Sequence, residues 1–256
     1  MASPLLEYDL QFLSATEKIV GIDEAGRGAL AGPVVAAAVA LGGDFYNSVW
    51  CQQRSGEVND SKQLSVSKRD ALYAQMTQLK ERREISYAVG ISSVAEVEQL
   101  NVFGATKLAM ERALEKLENL MDGVTFERHQ SDAPLFEQPL ETDSFHGTTR
   151  VLIDGIPLKG FAFRHQAIVH GDGLSLAIAM ASIIAKVTRD RIMDGLDMRF
   201  PCYGFSEHKG YATRKHRDAI REIGPSPEHR PSFLKKLNAG GEPMMEFVLD
   251  PDDKIS

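Results

Sequence analysis

The fold is decided by residues 18–41, which read KIVGIDEAGRGALAGPVVAAAVAL. Two short apolar runs, 18–23 and 34–41, flank a glycine-rich turn, and this arrangement is typical of two neighbouring β-strands. The first run ends in two acids, Asp23 and Glu24. A strand that delivers carboxylates to its own end is the first indication of chemistry in this chain.

The rest of the chain mixes further short strands with helices. Three more apolar runs predict strands over residues 85–91, 150–154 and 164–170. Ser67 and Asp70 form a capping signal for a helix to about residue 80, and 102–121 carries apolar residues at helical spacing. Residues 175–193 are apolar almost all round, which predicts a helix in the middle of the molecule.

Length and composition exclude several classes of protein. The chain has 256 residues, 43% of them apolar and 25% charged, which is enough for a full core and excludes global disorder, collagen and coiled coil. No apolar run approaches the ~18 residues that a membrane span needs, and the N-terminus lacks a basic region before its apolar residues. Cys51 and Cys202, with no Cys/His cluster, argue against a disulfide framework and a zinc site. We therefore expect a cytoplasmic protein.

The formal net charge of −7 hides a basic segment. Residues 186–236 carry 12 Lys and Arg against 7 Asp and Glu, whereas the regions on both sides are acidic. Charge blocks are usually solvated faces, but a basic segment on an acidic protein also localises a polyanion site.

Acids follow three of the predicted strands. Asp23 and Glu24 end the first, Asp154 ends the run 150–154, and Asp172 follows the run 164–170. Each acid alone is typical of a turn, but three strands of one sheet would bring four carboxylates together.

Four close carboxylates need a compensating charge, and their oxygen ligands suit Mg²⁺ or Mn²⁺, with two ions ~3.5–4 Å apart in a phosphodiesterase. Successive side chains on a strand point to opposite faces, so Asp23 and Glu24 both reach metal only if the strand ends or twists there.

The turn after the first strand carries Gly26, Arg27 and Gly28, and Gly32 and Pro33 close it. Glycines let backbone approach a ligand, and flanking N–H groups can bind an anion or a sugar hydroxyl. The spacing does not fit a dinucleotide fingerprint, because a strand follows instead of a helix. A plain hairpin connection remains the alternative for this run.

Six blocks in order resemble the signature blocks of the type 2 ribonucleases H, specifically ribonuclease HII. They are GIDEAGRGALAGPVVAAAVAL, NDSKQLS, VLIDG, GDGLSLAIAMASIIAKVTRDRIM, YGFSEHKGYAT and GPSPEHRPSF, which span residues 21–233. The resemblance implies an α/β fold: a ribonuclease H-like mixed five-stranded sheet with flanking helices and a small C-terminal helical region. It also implies Mg²⁺- or Mn²⁺-dependent endonucleolytic cutting of RNA in RNA–DNA duplexes, including single ribonucleotides embedded in DNA, with 3′-hydroxyl and 5′-phosphate ends.

The resemblance also implies roles for individual residues. The catalytic, metal-binding quartet falls on the four acids of the strand ends, Asp23, Glu24, Asp154 and Asp172. The turn of Gly26, Arg27 and Gly28 resembles the element whose backbone reads the ribose 2′-hydroxyl, and Tyr211 matches a tyrosine that stacks near the ribo-to-deoxyribo junction. Substrate-facing polar positions match Lys62, Ser182, Lys186 and Arg189, and the last three share one stripe of the helix 175–193 with Ser175.

The predicted organisation has one catalytic body and smaller attachments. Its parts are an N-terminal extension (1–17), the ribonuclease H-like catalytic domain (18–200) with an exposed insertion (123–149), a C-terminal helical substrate-binding region (201–239) and an acidic tail (240–256). Two features depart from the family: Ala29 stands where proline is usual, and the insertion is longer than the usual link. Within it, residues 130–136, QSDAPLF, resemble peptides by which bacterial replication proteins hold the sliding clamp, although Ala133 replaces the preferred leucine.

Two other functions remain open at this point. A ribonuclease HIII-like enzyme is the nearest alternative, but that family carries an extra N-terminal substrate-binding domain, and few residues precede the first strand here. A non-catalytic hybrid-binding subunit of the same fold is the alternative from another class, and the presence of all four acids argues against it. We expect a monomer without accessory chains.

Overall fold

A five-stranded sheet with helices on both faces forms the body of the protein. The computed structural model describes residues 3–58, 61, 64–129 and 148–238. The strands are β1 (Lys18–Ala25), β2 (Val34–Gly42), β3 (Ser86–Ser92), β4 (Thr149–Asp154) and β5 (Gln166–Ile168). The α-helices are α1 (Pro4–Leu13), α2 (Gly43–Tyr46), α3 (Val49–Arg54), α4 (Val66–Glu81), α5 (Val94–Leu120), α6 (Leu176–Arg199), α7 (Phe205–His208), α8 (Arg214–Ile223) and α9 (Pro231–Asn238). The predicted α/β class, with its mixed sheet and small C-terminal helices, is confirmed.

The sheet has the order β3-β2-β1-β4-β5. β1 pairs antiparallel with β2 and β2 with β3, whereas β1 pairs parallel with β4 and β4 with β5. The parallel pairing places the carboxyl ends of β1 and β4 side by side. It therefore brings the acids at those two ends to one edge of the sheet.

The pleat of the sheet separates two hydrophobic cores. Val20 and Ile22 of β1 and Val151 and Ile153 of β4 pack with α5, whereas Ile19 and Leu152 pack with α6. Gly21 lies on the α6 side, where a Cβ would lie 2.1 Å from the backbone carbon of Ala177. The absence of a side chain at Gly21 therefore lets the start of α6 lie directly on β1.

Two helices begin at different residues from those predicted. The cap of α4 is Ser65, whose hydroxyl accepts from the Lys68 N–H, because Ser65 has the extended backbone that a cap needs; the prediction of Ser67 was wrong. α5 begins at Val94, with a capping box of Ser93 and Glu96, eight residues before the predicted start. The sequence pattern had identified only the part of α5 that follows a break at Asn101.

The break in α5 has a local cause. Asn101 has a positive φ of 57°, and its side-chain oxygen accepts from the N–H groups of Phe103 and Gly104. Asn101 thus caps a second helical segment within the same element. Phe103 is half exposed at the start of this segment.

The N-terminal helix α1 packs against α6 through a buried acid. Asp9 is fully buried, and its Oδ2 accepts from the Ala177 N–H at 3.0 Å and from the Tyr46 hydroxyl at 2.9 Å. Burial raises the pKa of Asp9 to about 6, and hydrogen bonds from Ser175 and Ala177 oppose the rise. Asp9 therefore caps the N-terminus of the central helix from outside it.

The outer edge of β3 is covered by cations. On the side away from β2, three alternate carbonyls accept from side chains: Tyr87 from Lys80 at 2.8 Å, Val89 from Lys116 at 3.0 Å and Ile91 from Arg112 at 2.7 Å. α4 supplies the first cation and α5 the other two. Helices on both faces thus reach around to the same edge.

The described parts of the predicted insertion 123–149 are not uniformly exposed. Phe126 is buried among the residues of the α5 core, and Arg128 forms an isolated β-bridge with Phe163. Residues 130–147, which contain the clamp-like peptide, lie outside the described residues. Across the described ranges, no helix has the length and apolarity needed to cross a membrane.

Candidate active site

Three of the predicted acids meet at the carboxyl ends of β1 and β4. Asp23, Asp154 and Asp172 each offer a carboxylate oxygen, and these oxygens all lie within 4.8 Å of one another. Asp23 shares the α6 side of β1 with Ile19, and Asp154 shares the same side of β4 with Leu152. Parallel pairing and alternation together explain why two residues 131 positions apart in the numbering meet.

Asp172 reaches the cluster from a turn, and the predicted strand 164–170 is too long. β5 ends at Ile168, His170 has a positive φ of 55°, and Gly171–Gly173 forms a short 3-10 turn. The left-handed His170 ends the extended chain and bends it toward α6. The Gly171 N–H donates to Asp154 Oδ1 at 2.6 Å, which ties the turn to the end of β4.

Burial and mutual repulsion dominate the electrostatics of the cluster. Burial, and then the charges of Asp154 and Glu24, raise the pKa of Asp23 well above its usual range, and a hydrogen bond from Ser182 opposes them. The pKa of Asp154 is raised to about 6 by burial and then by the charges of Asp172 and Glu24. A divalent cation between these oxygens would relieve the repulsion. The donor set is all carboxylate oxygen, so the residues fit Mg²⁺ or Mn²⁺.

Glu24 stands apart from the other three acids. It follows Asp23 on β1 and therefore projects to the opposite side of the sheet, as the alternation of a strand requires. Its Oε1 accepts from the Arg27 guanidinium at 2.9 Å. Three carboxylates therefore converge instead of the expected four. Glu24 is nevertheless close enough for its charge to raise the pKa of both Asp23 and Asp154.

A cleft beside α5, at the carboxyl ends of β1 and β4, joins Glu24 to the cluster. It is lined by Glu24, Arg27, Phe103, Lys107 and Asp154, among others. The Arg27 guanidinium lies 5.2 Å from the centre of the Phe103 ring. Arg27 therefore contacts both an acid of the site and an aromatic wall of the cleft.

Two buried arginines hold the glycine-rich turn. Arg189 donates to the carbonyls of Ala31, Pro33 and Lys209, and Arg230 donates to those of Arg27 and Gly32. Both side chains are fully buried. Burial, and then the charge of Arg189, lower the pKa of Arg230 to about 9. Because a buried charge without hydrogen bonds is costly, both guanidinium groups need the carbonyl oxygens that accept from them.

Gly26 is a position of the turn that requires glycine. Gly26 has a φ of +96°, and a Cβ there would lie 2.0 Å from Nε of Arg189. The Arg27 carbonyl points to Arg230, so the trans peptide directs the Gly28 N–H away from that arginine. The backbone conformation of the turn is therefore set from beneath by side chains far away in sequence.

Some predicted substrate-facing residues face the interior instead. Arg189 is fully buried, and Ser182 is 3% exposed with its hydroxyl 2.8 Å from that of Ser61. Neither is accessible to a polyanion, because Ser182 packs against Ser61 and Arg189 packs against the backbone of the 26–33 turn. Lys186 is partly exposed and pairs with Asp190 at 2.8 Å. Lys62 lies outside the described residues.

Tyr211 is placed by buried histidines. The Ser226 N–H donates to His229 Nδ1, so the neutral His229 ring carries its proton on Nε2. That Nε2–H donates to Nε2 of His216. The proton of His216 is therefore on Nδ1, which donates to the Tyr211 carbonyl. Burial lowers the pKa of His216 and of His229 to about 4, so both are neutral near pH 7. The Tyr211 ring lies 5.2 Å from the Arg189 guanidinium and 5.6 Å from Lys186 Nζ.

Sequence reasoning missed the residues that hold the site from behind. Arg230, His216 and His229 lie in or near the block GPSPEHRPSF and the basic segment, where the excess of cations suggested solvent exposure. Asp9 lies in a segment without any motif. The available signal was the helical spacing of Leu5, Leu6 and Asp9, which puts an acid on an apolar helix face.

Comparisons with known proteins give the family and the fold to which the chain is similar. The family model described as Ribonuclease HII matches residues 20–236. The ribonuclease HII of Fusobacterium nucleatum subsp. nucleatum is 40% identical over 239 residues, which cover 93% of this chain and 93% of the relative. Similar folds occur in a chain of the PCNA:RNase HII complex from Archaeoglobus fulgidus (TM-score 0.57, 22% identity, 83% of this chain and 93% of that chain) and in Bst-RNase HIII in complex with Mn²⁺ (TM-score 0.55, 17% identity, 88% and 69%).

Proposed function

The chain belongs to the ribonuclease HII family and is therefore an endoribonuclease of the ribonuclease H type, and from this premise we propose its substrate and mechanism. It cleaves the RNA strand of RNA–DNA hybrids and cuts at single ribonucleotides embedded in duplex DNA, leaving 3′-hydroxyl and 5′-phosphate ends. The observation that carries this proposal is the meeting of Asp23, Asp154 and Asp172 beside the turn of Gly26, Arg27 and Gly28.

The acids would hold two Mg²⁺ or Mn²⁺ ions. Asp23 and Asp172 would mainly hold the metal, and Glu24 and Asp154 would complete the set of ligands. Two such ions would supply an activated water for attack on the phosphodiester and charge stabilisation for the leaving 3′-oxygen. The buried carboxylates keep the site polar while the sheet and α6 exclude bulk water around Asp23.

The glycine turn would distinguish RNA from DNA. The 2′-hydroxyl is the group that marks a ribonucleotide at a given site. The Gly28 N–H is directed away from the buried Arg230, and the Arg189 and Arg230 side chains fix that direction. A rigid backbone donor of this kind discriminates by hydrogen bonding to a sugar hydroxyl that DNA lacks.

The basic segment 186–236 would attract the phosphates of the duplex. It contributes Lys186, Lys209, Arg214 and Lys215, and Tyr211 would stack on the sugar or base at the ribo-to-deoxyribo junction. Ion pairs within the protein, such as Lys186 with Asp190 and Lys209 with Asp194, would give way to phosphate contacts.

A cleavage assay tests this function directly. Purified protein is incubated with a duplex that contains one embedded ribonucleotide, with Mg²⁺, Mn²⁺ or chelator, and an all-DNA duplex is the control. We expect a single cut at the ribonucleotide that needs metal and is lost in Asp23→Asn. Cleavage that survives chelation or Asp23→Asn would refute the metal assignment, whereas binding of the hybrid without any cleavage would favour the non-catalytic hybrid-binding subunit.

A sliding-clamp contact through residues 130–136 is a separate proposal. The support is the QSDAPLF sequence and the presence of a clamp, PCNA, in the complex of the Archaeoglobus fulgidus neighbour. We expect a micromolar interaction with a bacterial clamp that is lost in the double variant Leu135→Ala/Phe136→Ala. Unchanged binding of that variant in a titration would end this proposal.

A further inference from the structure

Arg27 forms an ion pair with Glu24, a carboxylate of the proposed metal site. Its guanidinium lies 2.9 Å from Oε1 of Glu24, and the Glu24 side chain is only 11% exposed. Glu24 is also the one member of the predicted quartet outside the group of oxygens within 4.8 Å of one another. Glu24 is therefore paired with Arg27 and lies outside the cluster that the other three acids form.

The backbone of Arg27 is fixed, whereas its side chain extends along the cleft. The Arg27 carbonyl is held by Arg230 at 2.8 Å, and the side chain is 34% exposed over the Phe103 ring at the cleft. An arginine in such a position can leave a carboxylate without disturbing the turn that carries it. The cleft that Glu24 and Phe103 line also carries Lys107 and Lys159, so its cations would attract a ligand that carries phosphate.

We propose that Arg27 acts as a resident cation on Glu24 in the free protein, so that metal competes with Arg27 for Glu24 and a nucleic-acid phosphate draws Arg27 away. This inference rests on the proposed function and adds a coupling to it. Arg27 partly neutralises the acid cluster until substrate arrives. Substrate then frees Glu24 to complete the metal site, which makes metal and substrate binding mutually favourable.

Metal affinity of the free protein provides the first test. Mn²⁺ is titrated into wild type, Arg27→Gln, Arg27→Lys and Lys107→Gln, with free Mn²⁺ followed by electron paramagnetic resonance. Lys107 lines the same cleft but donates to the Gly160 carbonyl, so Lys107→Gln removes the same charge without touching Glu24. We expect Mn²⁺ to bind about threefold to fivefold more tightly to Arg27→Gln, as for release of a partly exposed ion pair. The gain should exceed that of Lys107→Gln, and Arg27→Lys should stay near wild type.

The double variant Glu24→Gln/Arg27→Gln shows whether the gain passes through Glu24. We expect it to lose the tighter Mn²⁺ binding of Arg27→Gln. Equal gains in Arg27→Gln and Lys107→Gln, or a gain that persists in the double variant, would overturn the inference. If wild type and all variants fail to bind Mn²⁺, the proposed metal site itself is wrong, and the competition falls with it.

Hybrid binding in chelator provides the second test. Without metal there is no cleavage, and fluorescence anisotropy with a labelled RNA–DNA hybrid reports affinity alone. We expect Glu24→Gln to bind the hybrid more tightly than Asp154→Asn, which removes an equal charge from the same cleft and has no hydrogen bond to Arg27 among the described contacts. The difference in hybrid affinity between Glu24→Gln and Asp154→Asn should vanish when both variants also carry Arg27→Gln. Equal affinities of Glu24→Gln and Asp154→Asn would overturn the phosphate part of the inference.

Discussion

Removal of one acid of the carboxylate cluster should stabilise the metal-free protein. The pKa of Asp154 is raised from 3.8 to about 6 in the folded state, so between these values the folded protein binds more protons than the unfolded chain. Stability therefore falls as pH rises through this window and stays low above it. Two pKa units correspond to about 3 kcal/mol, and because the acids share the repulsion we expect Asp154→Asn to gain about 1 to 3 kcal/mol at pH 7.5.

The asparagine keeps the local hydrogen bond while it removes the charge. Its side-chain oxygen can still accept from the Gly171 N–H, so the turn before α6 should stay in place. For a chain of this length the gain corresponds to about 2 to 12 °C in Tm. The gain should nearly vanish at pH 4, where Asp154 of the wild type is already protonated.

Urea unfolding in chelator at pH 7.5 and pH 4 measures this effect through the fluorescence of Trp50, the single tryptophan. Asp122→Asn, in the exposed turn after α5, is the matched control and should change little at either pH. Saturating Mn²⁺ should reverse the order, because it stabilises wild type by mass action and Asp154→Asn much less. A variant no more stable than wild type at pH 7.5, or a gain equal at both pH values, would refute the reasoning.

Three further predictions concern two residues that hold the glycine-rich turn and one ion pair of α5. Gly26→Ala should destabilise the protein by at least about 2 kcal/mol in urea unfolding and abolish cleavage, because its positive φ and the 2.0 Å contact with Arg189 leave no room for a Cβ; wild-type stability would contradict this. Arg230→Met should cost about 3 kcal/mol, since the Arg27 and Gly32 carbonyls lose their partner, yet retain Mn²⁺ binding in a titration; loss of Mn²⁺ binding from a folded variant would show that Arg230 supports the acids directly. The pKa of Glu96 is lowered to about 2, chiefly by a hydrogen bond from Arg112. The contribution of this ion pair to the free energy of unfolding is therefore present above pH 4.5 and is lost as pH falls toward 2. Glu96→Gln should therefore be about 1 kcal/mol less stable at pH 7 and equal to wild type near pH 2, and a pH-independent difference would count against the ion pair.

The strand pattern was predictable because it depends on local chemistry. The runs 18–23, 34–41 and 150–154 became β1, β2 and β4 with small changes at their ends, since apolar β-prone residues bounded by turns carry their own signal. The helix caps were less predictable. Several hydroxyls stood near the start of α4, and only the backbone conformation of Ser65 decides which of them is the cap.

The acid cluster was predictable as a set of residue types, but not in its geometry. Strand alternation separates Glu24 from Asp23, and only the assembled structure shows that Arg27 takes the Glu24 carboxylate. Arg189 was expected at the nucleic-acid surface because it matches a substrate-facing polar position of the family. Its burial depends on carbonyls of the 26–33 turn, which lies more than 150 positions away in sequence and gives no local sign of the contact.

The cations along the outer edge of β3 have a consequence for self-association. An uncovered edge strand offers its carbonyls to a strand of another molecule, and sheets extend between copies in this way. Here the Tyr87, Val89 and Ile91 carbonyls already accept from Lys80, Lys116 and Arg112. A second copy would have to displace these charged groups before its backbone could bond to the same carbonyls. The covered edge of β3 therefore opposes extension of the sheet into a neighbouring molecule.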